Sequence, residues 1–496
     1  GAVYFGACGA TGFGSAFTIV VPLDPDVREI ALSSTGRPVS ALAIACGFTA
    51  GATGAGAALV MTTGGASGFT APLGTILPTV NQLRNVGIPL AVLAVFLALA
   101  VGVVVAAIVI LLTGWTRIDA LVSIAIALFM RRWRGLPVAR ASLLVLLTQP
   151  VFFIGAQFAN LDMLVAGCIS VTIVLLAHVA LCADEGRAAP AALHVAYLAA
   201  ASGVLAKGLI GVLLPALVIG AWLLLTRRLA RLRSLLSVSG LVLMLVVALP
   251  WFVAMHLRHA DFLHYFVVVQ HFQRYATSGF NNAQPFWFFP AALLVLGLPW
   301  TPWLLAWRGA APAADATQLS IRWLMMVWVV VVVGFFSLPN SKLIGYVLPA
   351  VPPLASLIAE AVQRPDPRWW RASAILAVLL CLGSVTAVAV APLPSARPLA
   401  LALLAQRQAG EPVIFAGGYF YDLPFYARLD QPPPVVDAWD DPALRQHDNW
   451  RKELADAADF TPDHGRATLL AAARLEANSC ARSSTWVLAT RAAAVQ

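Results

Sequence analysis

The chain has 496 residues, of which 60% are hydrophobic and only 11% charged, whereas a soluble domain carries about 25% charged residues. That much apolar surface excludes a water-soluble globule and fits a polytopic membrane protein, in which each crossing takes roughly 20 apolar residues and is helical because lipid offers the backbone no partners. The net charge of +9 sits in short clusters between apolar runs, as cytoplasmic loops require, and no basic stripe interleaved with aromatics points to nucleic acid.

Taken in chain order, the apolar runs predict about thirteen spans, over 5–23, 41–62, 88–112, 117–130, 142–157, 163–182, 191–206, 209–226, 234–256, 286–306, 322–338, 343–362 and 373–393. The first lacks a basic leader and a cleavage site, so it reads as a spanning helix and not a removable signal peptide. The chain opens on Gly1 without an initiator Met, so an earlier start is expected. Directly after this run come Asp24, Asp26, Arg28 and Glu29. Two readings fit them: solvated caps of a short helix at a membrane exit, or a general base at the interface. Asp162 stands at the mouth of the span 163–182, where an ionisable group is expensive; it is either a helix cap or a functional carboxylate.

The cations follow. Lys207 stands alone between two apolar runs, the loop after 234–256 carries Arg258, His259, His264, His271 and Arg274, and Lys342 with Tyr346 lies between two later spans. One interfacial lysine commonly just snorkels to the headgroups. Several cations on one face suggest an anion site, with Arg for bidentate contacts and Lys as a point charge. The six cysteines are scattered, with no CxxC and no Cys/His pair at metal spacing; neither a disulfide framework nor a zinc site is supported, and a divalent metal is possible but not indicated.

The densest basic clusters are Arg131, Arg132 and Arg134; Arg227, Arg228, Arg231 and Arg233; and Arg364, Arg368 and Arg371. The predicted spans put all three on one side, which the positive-inside rule makes cytoplasmic. Asp24 to Ser40, Asp162, Lys207, the loop 257–285, Lys342 and the tail then gather on the periplasmic face. From about 394 the apolar runs shorten, a strand-like stretch enters a helix near Tyr419–Tyr426, and 445–460 reads as an amphipathic helix. These features predict a transmembrane domain over 1–393 and a small soluble periplasmic α/β domain over 394–496.

From about Arg131 onward the chain resembles the GT-C glycosyltransferases of the bacterial aminoarabinose (lipid A) transferase and protein O-mannosyltransferase group. The matching stretches are Asn160-Leu161-Asp162, Ala206-Lys207-Gly208, Pro250-Trp251-Phe252, Gln270 to Tyr275, Gln284 to Phe289, Ser341 to Tyr346, Asp422 to Tyr426 and Asp448 to Arg451. The resemblance implies an all-α polytopic fold of about 13 transmembrane helices in a bacterial inner membrane. It implies an enzyme moving a hexosyl or pentosyl group from a polyprenyl-phosphate sugar to a lipid A-like, glycan or protein acceptor at the periplasmic face. Asp24 or Asp26 would be the base and Asp162 a second acidic residue. Lys207, Arg274, Lys342 and Tyr346, with Arg258 beside them, would surround the carrier phosphate. Membrane lipids are expected partners, a monomer is expected, and no nucleotide motif or other cofactor is visible.

The first 130 residues depart from this pattern. After Val39 the group continues with an aromatic, basic stretch, but here the sequence is rich in Gly, Ala and Thr. Residues 99–130 are similar to a helix of cation-diffusion-facilitator transporters. Two alternatives therefore stand beside the transferase: a membrane transporter, which calls for charged residues inside spans and repeated halves, and a non-catalytic polyprenyl-lipid binder.

Overall fold

The computed structural model describes residues 3–7, 15–21, 118–157, 161–273, 282–309, 313–362, 367–391, 395–445, 449–471 and 484–490. Their elements form two compact units, one helical and ending at Val390, the other built on a sheet.

The helical unit contains α1 (Ile118–Arg134), α2 (Leu136–Thr148), α3 (Pro150–Gln157), α4 (Leu161–Asp184), α5 (Pro190–Lys207), α6 (Ile210–Leu225), α7 (Val238–Arg258), α8 (Phe288–Leu296), α9 (Ala316–Ser337), α10 (Val351–Ala361) and α11 (Pro367–Val390). Among the described residues, α4, α7, α9, α11 and the stretch Ile344–Ala361 are each long and apolar enough to cross a membrane. The bent pair of α2 and α3 makes a sixth candidate. This is an all-α polytopic membrane fold. The expected spans 41–62 and 88–112 lie outside the described residues.

Two expected spans are broken, for local reasons. The run 142–157 splits between α2 and α3 with a bend of 58°. Pro150 has no N–H to donate and pushes its predecessor out of the helical region; Gln149 accordingly sits at φ −74°, ψ 118°. The run 286–306 becomes α8 and the 3-10 stretch Thr301–Gly309, separated at Gly297 to Trp300. The segment expected to be a loop over 257–285 includes a ten-residue π-helix, His264–Gln273.

The core of this unit runs from Val122 on α1 to Ala377 on α11. Trp222 on α6 is fully buried and donates its indole N–H to the Ser320 carbonyl at 2.8 Å, tying α6 to α9. One end of the bundle is basic and ion-paired. Arg132 meets Glu185 at 2.9 Å, and Arg228 and Arg231 both reach Asp184 at 2.7 Å. At the same end Glu360 accepts from Arg134 at 2.6 Å and from Arg322 at 2.7 Å, with the Arg134 and Glu360 side chains only 3% and 1% exposed.

The second unit holds a six-stranded sheet in the order β1-β2-β6-β3-β4-β5. Its strands are β1 (Val3–Ala7), β2 (Ser15–Val21), β3 (Val413–Ala416), β4 (Val435–Val436), β5 (Leu469–Leu470) and β6 (Ser484–Thr490). β1 and β2 pair antiparallel and every other neighbour is parallel. Both faces of β3 are covered, as parallel strands require. Val413 and Phe415 pack with Leu399, Leu403 and Trp486, while Ile414 and Ala416 pack with Val436 and Val487. The expected amphipathic helix is Trp450–Phe460, capped by Asn449, whose side chain accepts from the Arg451 and Lys452 amides.

The residues read as a first span, 5–23, are a correction to the sequence reading. They supply most of β1 and all of β2; the two strands pair with each other, and β2 also pairs with β6. The β-branched run Thr18-Ile19-Val20-Val21 suits a strand, and run length alone does not separate a short buried strand from a helix.

Candidate functional site

The site is at the end of α4 opposite the ion-paired basic end. Asp162 lies in the first turn of α4, where the helix dipole favours a carboxylate. Lys207 is the last residue of α5. The chain turns directly after it at Gly208, whose φ of 82° and ψ of −152° place it where a side chain is disfavoured. The Gly208 amide donates to the Val204 carbonyl at 2.8 Å, closing α5 and aiming Lys207 off its end. Gly345 and Tyr346 come from the 3-10 stretch Ile344–Ala350, and Phe336 from the last turns of α9.

These residues meet in one cleft, lined by Asp162, Val165, Ile169, Lys207, Ile210, Phe336, Gly345, Tyr346 and Pro349. The Lys207 ammonium is ion-paired with the Asp162 carboxylate, and the two side chains are 31% and 18% exposed. The same ammonium lies over the Tyr346 ring, 4.5 Å from its centroid, a cation–π contact. Tyr346 in turn packs on Phe336 at 5.3 Å between centroids. Gly345 presses against Asp162: a Cβ there would overlap the carboxylate. One cation, one carboxylate and one aromatic face are thus framed by apolar walls at a bundle end. The cleft sets one ion pair beside an aromatic ring and an apolar surface.

Asp162, Lys207 and Tyr346, singled out in the sequence, are therefore brought together. Lys342 is not in the cleft lining. Its side chain is buried, and its ammonium donates to the carbonyls of Gln284, at 2.7 Å, and Pro339. Backbone bonds reinforce this clasp, from Lys342 N to Asn282 O and from Gln284 N to Asn340 O, both at 3.0 Å. Burial pulls the Lys342 ammonium below the ordinary lysine range. Arg258 is exposed at the end of α7. Asp24, Asp26 and Arg274 lie outside the described residues. Among the described residues, no three His, Cys, Asp or Glu side chains stand close enough to share a metal ion.

The sequence reading missed the buried triad of Arg134, Arg322 and Glu360. Glu360 lies within the expected span 343–362 and is buried. The available signal was a lone carboxylate at the end of an apolar run that also carries Tyr346.

No family model matches the chain. Curated relatives do, each named undecaprenyl phosphate-alpha-4-amino-4-deoxy-L-arabinose arabinosyl transferase. The protein of Aeromonas salmonicida is 34% identical over 208 residues, which is 39% of this chain and 37% of the relative. Those of Pectobacterium carotovorum and Pseudomonas aeruginosa are 30% and 32% identical, over 56% and 49% of this chain and 50% and 44% of theirs. Among solved structures, ArnT from Cupriavidus metallidurans bound to undecaprenyl phosphate superposes with a TM-score of 0.59 at 22% identity, over 73% of this chain and 75% of that one. Its apo state gives 0.53 at 23% identity, over 64% and 70%. In sequence and in fold, the chain is akin to the GT-C aminoarabinose transferases. The expected resemblance is borne out, and the chain spans about half or less of the length of the curated relatives it matches.

Proposed function

We propose that the chain is a glycosyltransferase of the bacterial inner membrane that takes a sugar from an undecaprenyl-phosphate carrier at the periplasmic face. The sugar is 4-amino-4-deoxy-L-arabinose or a close analogue, and the acceptor is lipid A or a similar lipid-borne glycan. The observation that carries this reading is the convergence of Lys207, Asp162 and Tyr346 in one cleft, at the end of the bundle opposite the arginines that the positive-inside rule makes cytoplasmic.

The carrier phosphate is the leaving group. It sits on Lys207, with Arg274 as second cation, and fixed positive charge stabilises the negative charge that builds as the glycosidic C–O bond breaks. Lys342 acts through the backbone, holding residues 282–284 against 339–342 so that the stretch bearing Tyr346 keeps its place. Asp24 or Asp26 accepts the proton of the acceptor hydroxyl, and the acceptor oxygen attacks the anomeric carbon with inversion. The tail from residue 394 is a periplasmic domain.

The test is transfer of a labelled sugar from undecaprenyl phosphate by the purified chain and by its Asp24→Asn, Asp26→Asn and Asp162→Asn variants. A drop of about a hundredfold in at least one of them is expected, the usual weight of a general base. Unchanged transfer in all three would remove the proposed chemistry.

A further inference from the structure

Of the two cations that the proposed function gives to the carrier phosphate, Lys207 is already taken. Lys207 is paired with Asp162 across 45 residues of sequence, from the end of α5 to the start of α4. No second cation lines the cleft among the described residues, and Lys342 is held by two backbone carbonyls. A phosphate entering this cleft meets a carboxylate on the ammonium it needs. Two anions within contact distance of one lysine repel each other strongly in a partly buried setting, so they cannot share it without loss.

We infer that Asp162 and the phosphate of the carrier lipid exchange places on Lys207: the carboxylate holds the lysine in the empty cleft, and phosphate binding displaces it. This rests on the glycosyltransferase reading and gives Asp162 a role beyond it. The cleft is built for such an exchange. The Tyr346 ring steadies the ammonium from another side, so Lys207 keeps its position when its ionic partner changes. Gly345 lies against the carboxylate and lets Asp162 reach the lysine at all. Both side chains are only partly covered by protein, so the carboxylate has room to leave the contact. The exchange also costs the carrier affinity, because each binding event breaks an existing ion pair.

The consequence has a sign opposite to that of an ordinary contact residue. Neutralising Asp162 removes the competitor and leaves Lys207 free, so Asp162→Asn binds undecaprenyl phosphate more tightly than the unmodified chain, by about tenfold or ~1.4 kcal/mol. Asp162→Glu keeps a competing charge and shows no tightening. Lys207→Gln loses binding.

The experiment titrates the full chain in nanodiscs with undecaprenyl phosphate, read by tryptophan fluorescence, for these variants and for Asp162→Ser, a second neutral replacement should Asn not fold. Thermal midpoints accompany each titration. Tightening in Asn or Ser but not in Glu supports the exchange. Equal or weaker binding in both neutral variants overturns it while leaving the glycosyltransferase reading intact, whereas no binding even by the unmodified chain overturns both. A parallel titration with inorganic phosphate separates the sources: tightening confined to the lipid supports the carrier as the displacing anion, and tightening confined to inorganic phosphate contradicts it.

Discussion

Replacing Glu360 by Gln removes the charge that two buried arginines share. Arg134 and Arg322 both bond the same carboxylate oxygen, at 2.6 and 2.7 Å, with side chains 3% and 12% exposed against 1% for Glu360. At about 4 Å between charge centres, each pair gains roughly 4 kcal/mol at an effective dielectric of 20, and this is offset by desolvation of several kcal/mol per ion. The intact triad is therefore close to neutral for stability, and two atoms in it, Arg134 Nε and Glu360 Oε2, are buried without a hydrogen-bond partner. Removing the anion is a different matter, because two like charges then remain buried. Loss of one partner of a buried pair costs about 3–5 kcal/mol, a large share of the 5–15 kcal/mol that holds a typical protein folded. For a chain of this size, whose unfolding entropy is about 1 kcal/mol/K, that corresponds to a drop of roughly 3–5 °C in the thermal midpoint, measured by the fluorescence of the 15 tryptophans in detergent. The triple replacement Arg134→Met, Arg322→Met, Glu360→Leu removes every charge and returns the midpoint to within about 1 °C of the parent or above it. A Glu360→Gln midpoint within about 1 °C of the parent would refute this reasoning.

Three further outcomes follow from the same geometry. Gly345→Ala forces the Asp162 carboxylate off its position and lowers sugar transfer at least tenfold, with a thermal midpoint within a few degrees of the parent; unchanged transfer would show that the placement of Asp162 is immaterial. Tyr346→Leu removes the ring under Lys207 while Tyr346→Phe keeps it, so a double-mutant cycle with Lys207→Met gives a coupling of about 1 kcal/mol for Leu and close to none for Phe. Lys342→Met leaves the carbonyls of Gln284 and Pro339 without their donor and destabilises by about 2 kcal/mol, seen as faster proteolysis between residues 282 and 342 than in the parent.

The transmembrane helices were legible where an apolar run is uninterrupted and bounded. The expected spans 163–182 and 191–206 are α4 and α5, extended by one or two residues at each end. Two runs containing a proline were legible in extent but not in shape: hydropathy does not register that Pro150 and Pro299 divide what composition alone joins, whereas Pro215 and Pro250 stand inside unbroken helices. The segment 5–23 was misread because nineteen mostly apolar residues satisfy a length rule whether they cross lipid or pair in a sheet. In the candidate site, residue types were legible and pairings were not. Asp162, Lys207 and Tyr346 each stood out as polar groups at the ends of apolar runs, but nothing in sequence spacing relates the start of α4 to the end of α5. Lys342 looked like its neighbours in kind, and only the position of the Gln284 carbonyl separates a lysine that clasps backbone from one that faces a cleft. Glu360 passed unnoticed because its partners, Arg134 and Arg322, lie on helices distant in sequence.

The central claim is that Lys207 holds the phosphate of a lipid-borne sugar donor. It is tested most directly by following labelled 4-amino-4-deoxy-L-arabinose from undecaprenyl phosphate to lipid A in nanodiscs, with the unmodified chain and Lys207→Met side by side. The account predicts transfer by the unmodified chain and a loss of at least a hundredfold in the variant at an unchanged thermal midpoint. Transfer that persists in Lys207→Met, or that the unmodified chain does not perform, would contradict it.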